Sequence, residues 1–380
     1  MCALNLQKNE AADTDIVFGP LCDVAKLLRG YIPCGKVALI ADGESNFPAV
    51  QTIRAALKGF ECFCVVAGEG DNASGLFSLP DDVRAAIAVG KGAFCAARYF
   101  CTLRGAYCIV VPDHADLSAA FENPVRLFVS GGFSRYPADA PDAVYCDLSR
   151  IGSYDAAYGK LCLCALSAFD CEAHSVFAGG GDASAPYHRF FEDAVRLADF
   201  TGQNFQRELL SLSADLALFL SRRKKRTAAE IFSRLLCKKC GCTGGSAALF
   251  SFCYLLERYR HFFRSAKPRA FYVPDYAHRI RLAAAYAGED ERALFLKNKV
   301  PTAKRTDALA EVFTESRAVF CRKAESVAVY TERVKSGLYA LGAKAPAIDA
   351  VRAHEAFSAA AELADTLSVP ALMRDFGLLT

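Results

Sequence analysis

The sequence predicts an α/β protein in two parts: a parallel sheet with crossover helices over residues 16–150, and an all-α domain over residues 151–380. Three observations carry this. In the first part, short apolar β-rich runs alternate with helically spaced segments. Beyond residue 150, apolar residues recur about every 3.6 positions through long Ala-rich stretches. The chain has 380 residues and is 53% hydrophobic, which supplies large cores and excludes general disorder.

The elements follow in order. Residues 36–41 form an apolar run that reads as a buried parallel strand ending at Asp42-Gly43. Residues 47–59 carry helical spacing through Val50, Ile53, Ala56 and Leu57, and residues 60–66 read as a second strand. Residues 81–86 read as a helix end and 87–89 as a short strand entering Gly90-Lys91-Gly92. A helix is expected over 93–103, a strand over 107–111 stopped by Pro112, and a strand over 143–146 closed by Asp147. This rhythm of strand, helix and strand argues for a parallel sheet. Helices are then expected over 197–222, 228–236, 246–263, 307–341 and 348–367, with loops at Gly179–Asp182 and Gly241–Gly245.

Composition narrows the function. Lys+Arg number 45 against 42 Asp+Glu, a formal charge of +3, which argues against electrostatic binding of nucleic acid. The run from Arg222 to Arg226 reads as a solvated helix C-terminus favoured by the helix dipole. The 17 cysteines are scattered singly through apolar stretches and form no disulfide framework. They suit a reduced, cytoplasmic protein that uses Cys as a small hydrophobe. The first fifteen residues, with Glu10, Asp13 and Asp15, lack the pattern of a signal peptide, and no uninterrupted apolar run is long enough to span a membrane. Membrane partners are therefore not expected, and homo-oligomer formation is left open.

Two features point to a nucleotide. An Asp just past the first strand can accept two hydrogen bonds from ribose hydroxyls, and Asp42 stands there. Gly90-Lys91-Gly92-Ala93 lies between a strand and a helix, where glycines allow close backbone approach, free N–H groups face a pyrophosphate and Lys91 adds positive charge. Their bland readings are a plain turn and an ordinary Gly loop.

Several segments match a known superfamily. Ala86-Ile-Ala-Val-Gly-Lys-Gly-Ala-Phe-Cys-Ala-Ala-Arg-Tyr99 is similar to a strand, Gly-Gly-Gly-Ser loop and helix carrying Asp-Ala-Ala-Lys-Tyr. Cys108–Pro112 looks like a strand before a Pro-Thr turn, and Pro141–Leu148 like a Pro-Asp-Val-Val-x-x-Asp segment. Tyr158-Gly159-Lys160 falls where a Gly-Asp opens the helical domain, and Gly244–Ser251 looks like Ser-Gly-Ser-Glu-His-x-x-Ser. With these segments the chain resembles the superfamily of dehydroquinate synthase, the iron-containing alcohol dehydrogenases and glycerol-1-phosphate dehydrogenase. The ending, residues 367–379, resembles the glycerol-1-phosphate dehydrogenase branch.

The resemblance implies a nucleotide-binding-like first domain, a ligand cleft beside the helical domain, and hydride transfer to NAD or NADP. It also implies a zinc or iron ion held by one Asp and two His, which polarises the substrate hydroxyl. The matching positions depart from that set. The Asp corresponds to Lys160, the first His to Ala248 and the Glu before it to Ala247; the second His belongs near residues 271–279, where His278 is the candidate. The Thr that meets the cofactor corresponds to Asp113, which Lys91 could pair, and the substrate-side Asp to Ser118. Two family Lys positions hold Cys164 and Arg98. Zinc and iron are therefore not expected.

Other constellations have two readings each. Cys237, Cys240 and Cys242 could form a metal or redox cluster or simply pack. His114 beside Asp113 and Asp116 could be an acid–base group or part of a polar loop. Lys160 could stand in for the metal's charge, polarising an oxygen or holding a phosphate, or pair with Asp113, Asp116 or Asp155. The expectation is a divergent glycerol-1-phosphate dehydrogenase-like protein. It would bind a nucleotide or phosphorylated ligand through Asp42, Gly90, Lys91, Gly92, Ala93, Asp113 and Asp116, without metal-dependent hydride transfer. The alternatives are an active NAD(P)-dependent polyol-phosphate dehydrogenase with a rebuilt site, and a non-catalytic regulatory or scaffold protein.

Overall fold

The computed structural model describes residues 5–8, 14–67, 73–129, 132–223, 225–267, 275–298 and 302–379. Glu10, Asp13, Lys224 and residues 271–274 of the expected second-His segment lie outside the described residues. The chain divides into two units: Met1–Tyr154 with Phe200–Arg223, and Asp155–Asp199 with Lys224–Thr380.

The first unit contains β1 (Asn5–Lys8), β2 (Asp15–Phe18), α1 (Val24–Tyr31), β3 (Gly35–Ala41), α2 (Phe47–Ala56), β4 (Phe60–Val66), β5 (Val83–Val89), α3 (Phe94–Arg104), β6 (Tyr107–Val111), α4 (Ser118–Phe121), β7 (Val125–Val129), β8 (Gly132–Tyr136) and β9 (Ala143–Cys146). The main sheet runs β1-β2-β9-β6-β5-β3-β4. It is parallel from β2 to β4, and β1 is an antiparallel edge strand. Val37, Leu39, Ile87, Val89, Ile109 and Val111 form one face of the core, with Val24 and Leu28 of α1 and Val50 and Ile53 of α2.

Residues 83–86, expected at a helix end, are instead the first half of β5, and Val83 pairs with Lys36. Ala85, Ala86 and Ala88 have no exposed surface, so the strand is buried on both faces. Burial overrides alanine's intrinsic preference for helix here. The two-stranded β7–β8 ladder was not anticipated. Its flanks are tied to α3 by the buried Arg98, which donates to the carbonyls of Asp139 (2.8 Å), Glu122 (2.8 Å) and Ala138 (3.2 Å).

The second unit begins with α5 (Asp155–Ala178) and α6 (Ala185–Leu197); α7 (Gly202–Arg222) then belongs to the first unit. This corrects the expected domain over 151–380, which took residues 200–223 as part of the helical half, and the expected helix over 197–222, which is broken between α6 and α7. The physical reason is Ser213, whose hydroxyl donates to Ala115 O (2.7 Å) and accepts from Leu117 N (3.2 Å). The second unit continues with α8 (Ala228–Cys240), α9 (Gly244–Ser265), α10 (Tyr276–Ala287), α11 (Glu291–Lys297), α12 (Ala303–Ala328), α13 (Thr331–Ala340), α14 (Ala350–Leu363) and α15 (Val369–Asp375). The helices expected over 307–341 and 348–367 are thus each interrupted, the first between α12 and α13 and the second after Leu363.

By length and composition α5 could cross a membrane, but 78% of its apolar window is buried inside the structure. It is the unit's core helix. Its Asp170 has no exposed surface and accepts hydrogen bonds from Ala229 N at the start of α8, from Val369 N at the start of α15, and from the Tyr259 hydroxyl of α9 (3.0–3.1 Å). Burial pushes its carboxyl up to about 7, against the pull of those donated bonds. One carboxylate thus joins two helix starts to the core.

Candidate functional site

The site is built at the carboxyl ends of the first unit's strands. β3 leads through α2 to β4 on one side, and the chain then returns to β5 on the other side of β3. The strand order therefore reverses between β3 and β5. In open parallel sheets such a switch point opens a crevice for ligands. Asp42 follows β3 and Gly90 follows β5, so the two nucleotide features of the sequence flank it.

They are also joined directly. Asp42 N donates to Val89 O (3.2 Å), and Gly92 N donates to Asp42 Oδ2 (3.1 Å). Asn46 Nδ2 donates to Asp42 Oδ1 (2.6 Å). A β-carbon on Gly90 would lie 2.4 Å from the Asp42 carboxyl atoms, and Gly90 has φ +89. Only glycine serves there, because the carboxylate occupies the space a side chain would need. The Gly92 amide, expected to face a pyrophosphate, is therefore occupied by Asp42. Each Asp42 oxygen keeps lone-pair capacity, and the carboxylate is half-buried. Lys91 is exposed and Ala93 buried, in the short 3-10 turn Lys91–Ala93 that leads into α3.

Asn46 and Arg150 escaped the sequence reading. Asn46 is 4% exposed, and its Oδ1 accepts from Arg150 Nη2 (2.8 Å). Four residues after Asp42, at the start of α2, Asn46 had a positional signal; Arg150, 104 residues further on, had none. The loop that carries Arg150 is anchored by Asp147, which accepts from Leu21 N, Ser149 N and the Ser149 hydroxyl.

The loop after β6 is turned toward itself. Asp116 Oδ1 accepts from Ser118 N (3.2 Å) and the Ser118 hydroxyl (2.7 Å), so it caps the start of α4. Asp113 Oδ1 lies 3.0 Å from Nδ1 of the exposed His114, close enough for an ion pair but off the hydrogen-bonding direction. The group beside the Asp113 carboxylate is thus the imidazole of the neighbouring His114.

The positions expected to hold a metal lie on α5 and α9. Lys160 is half-buried, and Ala247 and Ala248 are buried. A β-carbon on Gly159 would come 2.5 Å from that of Ala248. Built on Gly244 it would meet Ala156 Cβ at 2.7 Å, and on Gly245 the Asp155 carboxylate at 2.2 Å. The two helices thus cross almost backbone to backbone, with methyl groups and hydrogens where longer side chains would be needed. His278 is exposed in the first turn of α10, where its backbone N–H is capped by Asp275 Oδ1 (2.9 Å). These residues do not fit a divalent ion. An ammonium repels one, a methyl group has no lone pair, and among the described residues no three His, Cys, Asp or Glu side chains converge. Cys237, Cys240 and Cys242 are half-buried and form no disulfide, and burial pushes the thiols of Cys240 and Cys242 up.

No protein-family model and no curated protein matches this sequence. Solved structures do match, and they share this fold, a parallel sheet followed by a helical region. Maleylacetate reductase from Agrobacterium tumefaciens is similar at 13% identity, over 99% of this chain and 97% of that one, with a TM-score of 0.52. A 1,3-propanediol oxidoreductase is similar at 13% identity over 100% of both chains, with a TM-score of 0.51.

Proposed function

We propose that the chain is an oxidoreductase-class protein that binds a nicotinamide dinucleotide, NAD or NADP, at the carboxyl ends of β3 and β5. We assign it alcohols or polyol phosphates as substrate class. The observation that carries this reading is the Asp42 carboxylate, fixed at the switch point by Gly92 and Asn46 with acceptor capacity left for ribose hydroxyls. The fold shared with a reductase and an oxidoreductase supports it, as do the segments resembling the glycerol-1-phosphate dehydrogenase branch. Gly90, Lys91, Gly92 and Ala93 would border the pyrophosphate, with Asp113 and Asp116 on the neighbouring loop. The protein would act in the cytoplasm, where free thiols such as Cys62, Cys64 and Cys240 persist.

No step is assigned to zinc or iron, because the side chains at the expected ligand positions do not fit one. Lys160 and Ala248 favour a second reading: the nucleotide is bound, but the fold's metal-dependent hydride transfer has been lost. Titration calorimetry with NAD(H) and NADP(H), followed by an absorbance assay on a panel of polyols and polyol phosphates, separates the readings. Binding with turnover supports the first and binding without turnover the second. No binding of any dinucleotide overturns both and leaves a scaffold or regulatory role.

A further inference from the structure

The first unit holds two arginines that use their donors in opposite ways. Arg98 is 1% exposed and gives three N–H groups to main-chain carbonyls at 2.8–3.2 Å, which is what an arginine that ties loops together does. Arg150 gives Nη2 to a side-chain amide, Asn46 Oδ1, at 2.8 Å, and its buried Nε–H meets no acceptor among the described residues.

The order of groups fixes the direction of the chain of bonds. Arginine only donates, and an ionised carboxylate only accepts. Between them the Asn46 amide has one orientation that satisfies both neighbours: oxygen toward Arg150, NH2 toward Asp42 (2.6 Å). Arg150 thus holds Asn46, Asn46 holds Asp42, and the Gly92 amide holds the other carboxylate oxygen at 3.1 Å. Two strand-end loops, after β3 and β5, meet at the carboxylate, and the loop after β9 reaches it through Asn46. The groups that touch it are neutral amides. A neutral cradle suits neutral partners such as ribose hydroxyls, whereas a 2′-phosphate would meet a fixed negative charge.

We propose that Asn46 and Arg150 are positioning residues for nucleotide recognition, holding the Asp42 carboxylate so that it accepts a free ribose 2′-hydroxyl and selects NAD(H) over NADP(H). This rests on the reading that the first unit binds a dinucleotide.

The test is titration calorimetry of the purified full chain with NAD+ and NADP+, for wild type, Asn46→Ala, Arg150→Met and Arg150→Lys. Wild type should bind NAD+ more tightly by about tenfold or more, the scale of one hydrogen bond to a charged group. Asn46→Ala and Arg150→Met should each lower the NAD+/NADP+ preference by several-fold, and Arg150→Lys, which can still donate to Asn46, should recover part of it. If Asn46→Ala fails to fold, the Arg150 pair reads the same ratio. Equal or tighter NADP+ binding by wild type overturns the proposal. So does a uniform loss of affinity for both nucleotides with the ratio unchanged, which a merely structural role would produce. If wild type binds neither, the nucleotide reading itself fails and this inference falls with it.

Discussion

Two close approaches in this molecule depend on glycine, and they serve opposite ends. At the strand ends of the first unit, Gly90 leaves room for the Asp42 carboxylate; a β-carbon there would lie 2.4 Å from it. In the helical unit, Gly159 leaves room for the Ala248 methyl group, at 2.5 Å. The first glycine lets a polar group sit half-exposed at a crevice. The second lets two helices close on each other. The same residue type thus opens a polar site in one unit and fills an interior in the other, and what decides between them is the chemistry of the opposing side chain.

Gly90→Ala should break the first approach with the largest effect. It combines a left-handed backbone with a direct overlap, so a loss of about 3 kcal/mol is expected. Denaturant unfolding measures it, and calorimetry should show dinucleotide affinity abolished. Unchanged nucleotide affinity in a folded Gly90→Ala protein would sink the role given to this turn.

Gly159→Ala should cost about 2 kcal/mol by overpacking, and Ala248→Gly in the same chain should recover part of it. A double-mutant cycle in urea tests this. Additive effects would mean that the α5–α9 approach is not the source of the loss.

The helical unit does contain polar groups, but it turns them inward. Asp170→Asn should cost about 1–2 kcal/mol, because an amide cannot satisfy all three donors. The pH dependence has a definite sign. Burial raises the carboxyl of folded Asp170 to about 7, above its unfolded value of about 4, so the folded state binds more protons between them. This contribution to stability is therefore full below about pH 4 and is lost as pH rises toward 7. Melting temperature followed across that range should show this slope in wild type and its absence in Asp170→Asn.

The smallest expected effect is that of chelation. EDTA should leave the melting temperature unchanged, because at the crossing of α5 and α9 the Asp155 carboxylate sits among Ala156, Gly159, Gly244, Gly245 and Ala248, and among the described residues no three possible metal ligands converge. Stoichiometric zinc or iron in the purified protein would overturn this account of the helical unit.

Much of the architecture was legible in the residues. The apolar runs at β3 and β6 announced themselves, because a strand buried on both faces must be apolar throughout, and the half-exposed edge strand β4 did so through its aromatic and β-branched residues. Asp42 and Gly90 were visible as candidates by their places after strands. Residues 83–86 were misread because alanine favours a helix locally, while only the neighbouring strands show that the segment is buried on both sides. The β7–β8 ladder was missed because both strands are short and β8 is largely exposed, which leaves little alternation in it.

By itself the sequence determined the strands at β3, β4 and β6, the helical character of the second half, the residues after the strands and the residue types at Lys160 and Ala248. These are properties of residue type and local spacing, which a chain carries before it folds. Only the tertiary structure decided that Gly92 donates to Asp42, that Arg150 reaches Asn46, that α7 returns to the sheet unit and that Asp170 joins α8 to α15. Each of these is a bond between groups far apart in the chain. Such bonds depend on burial and direction, and neither exists until the strands and helices have packed.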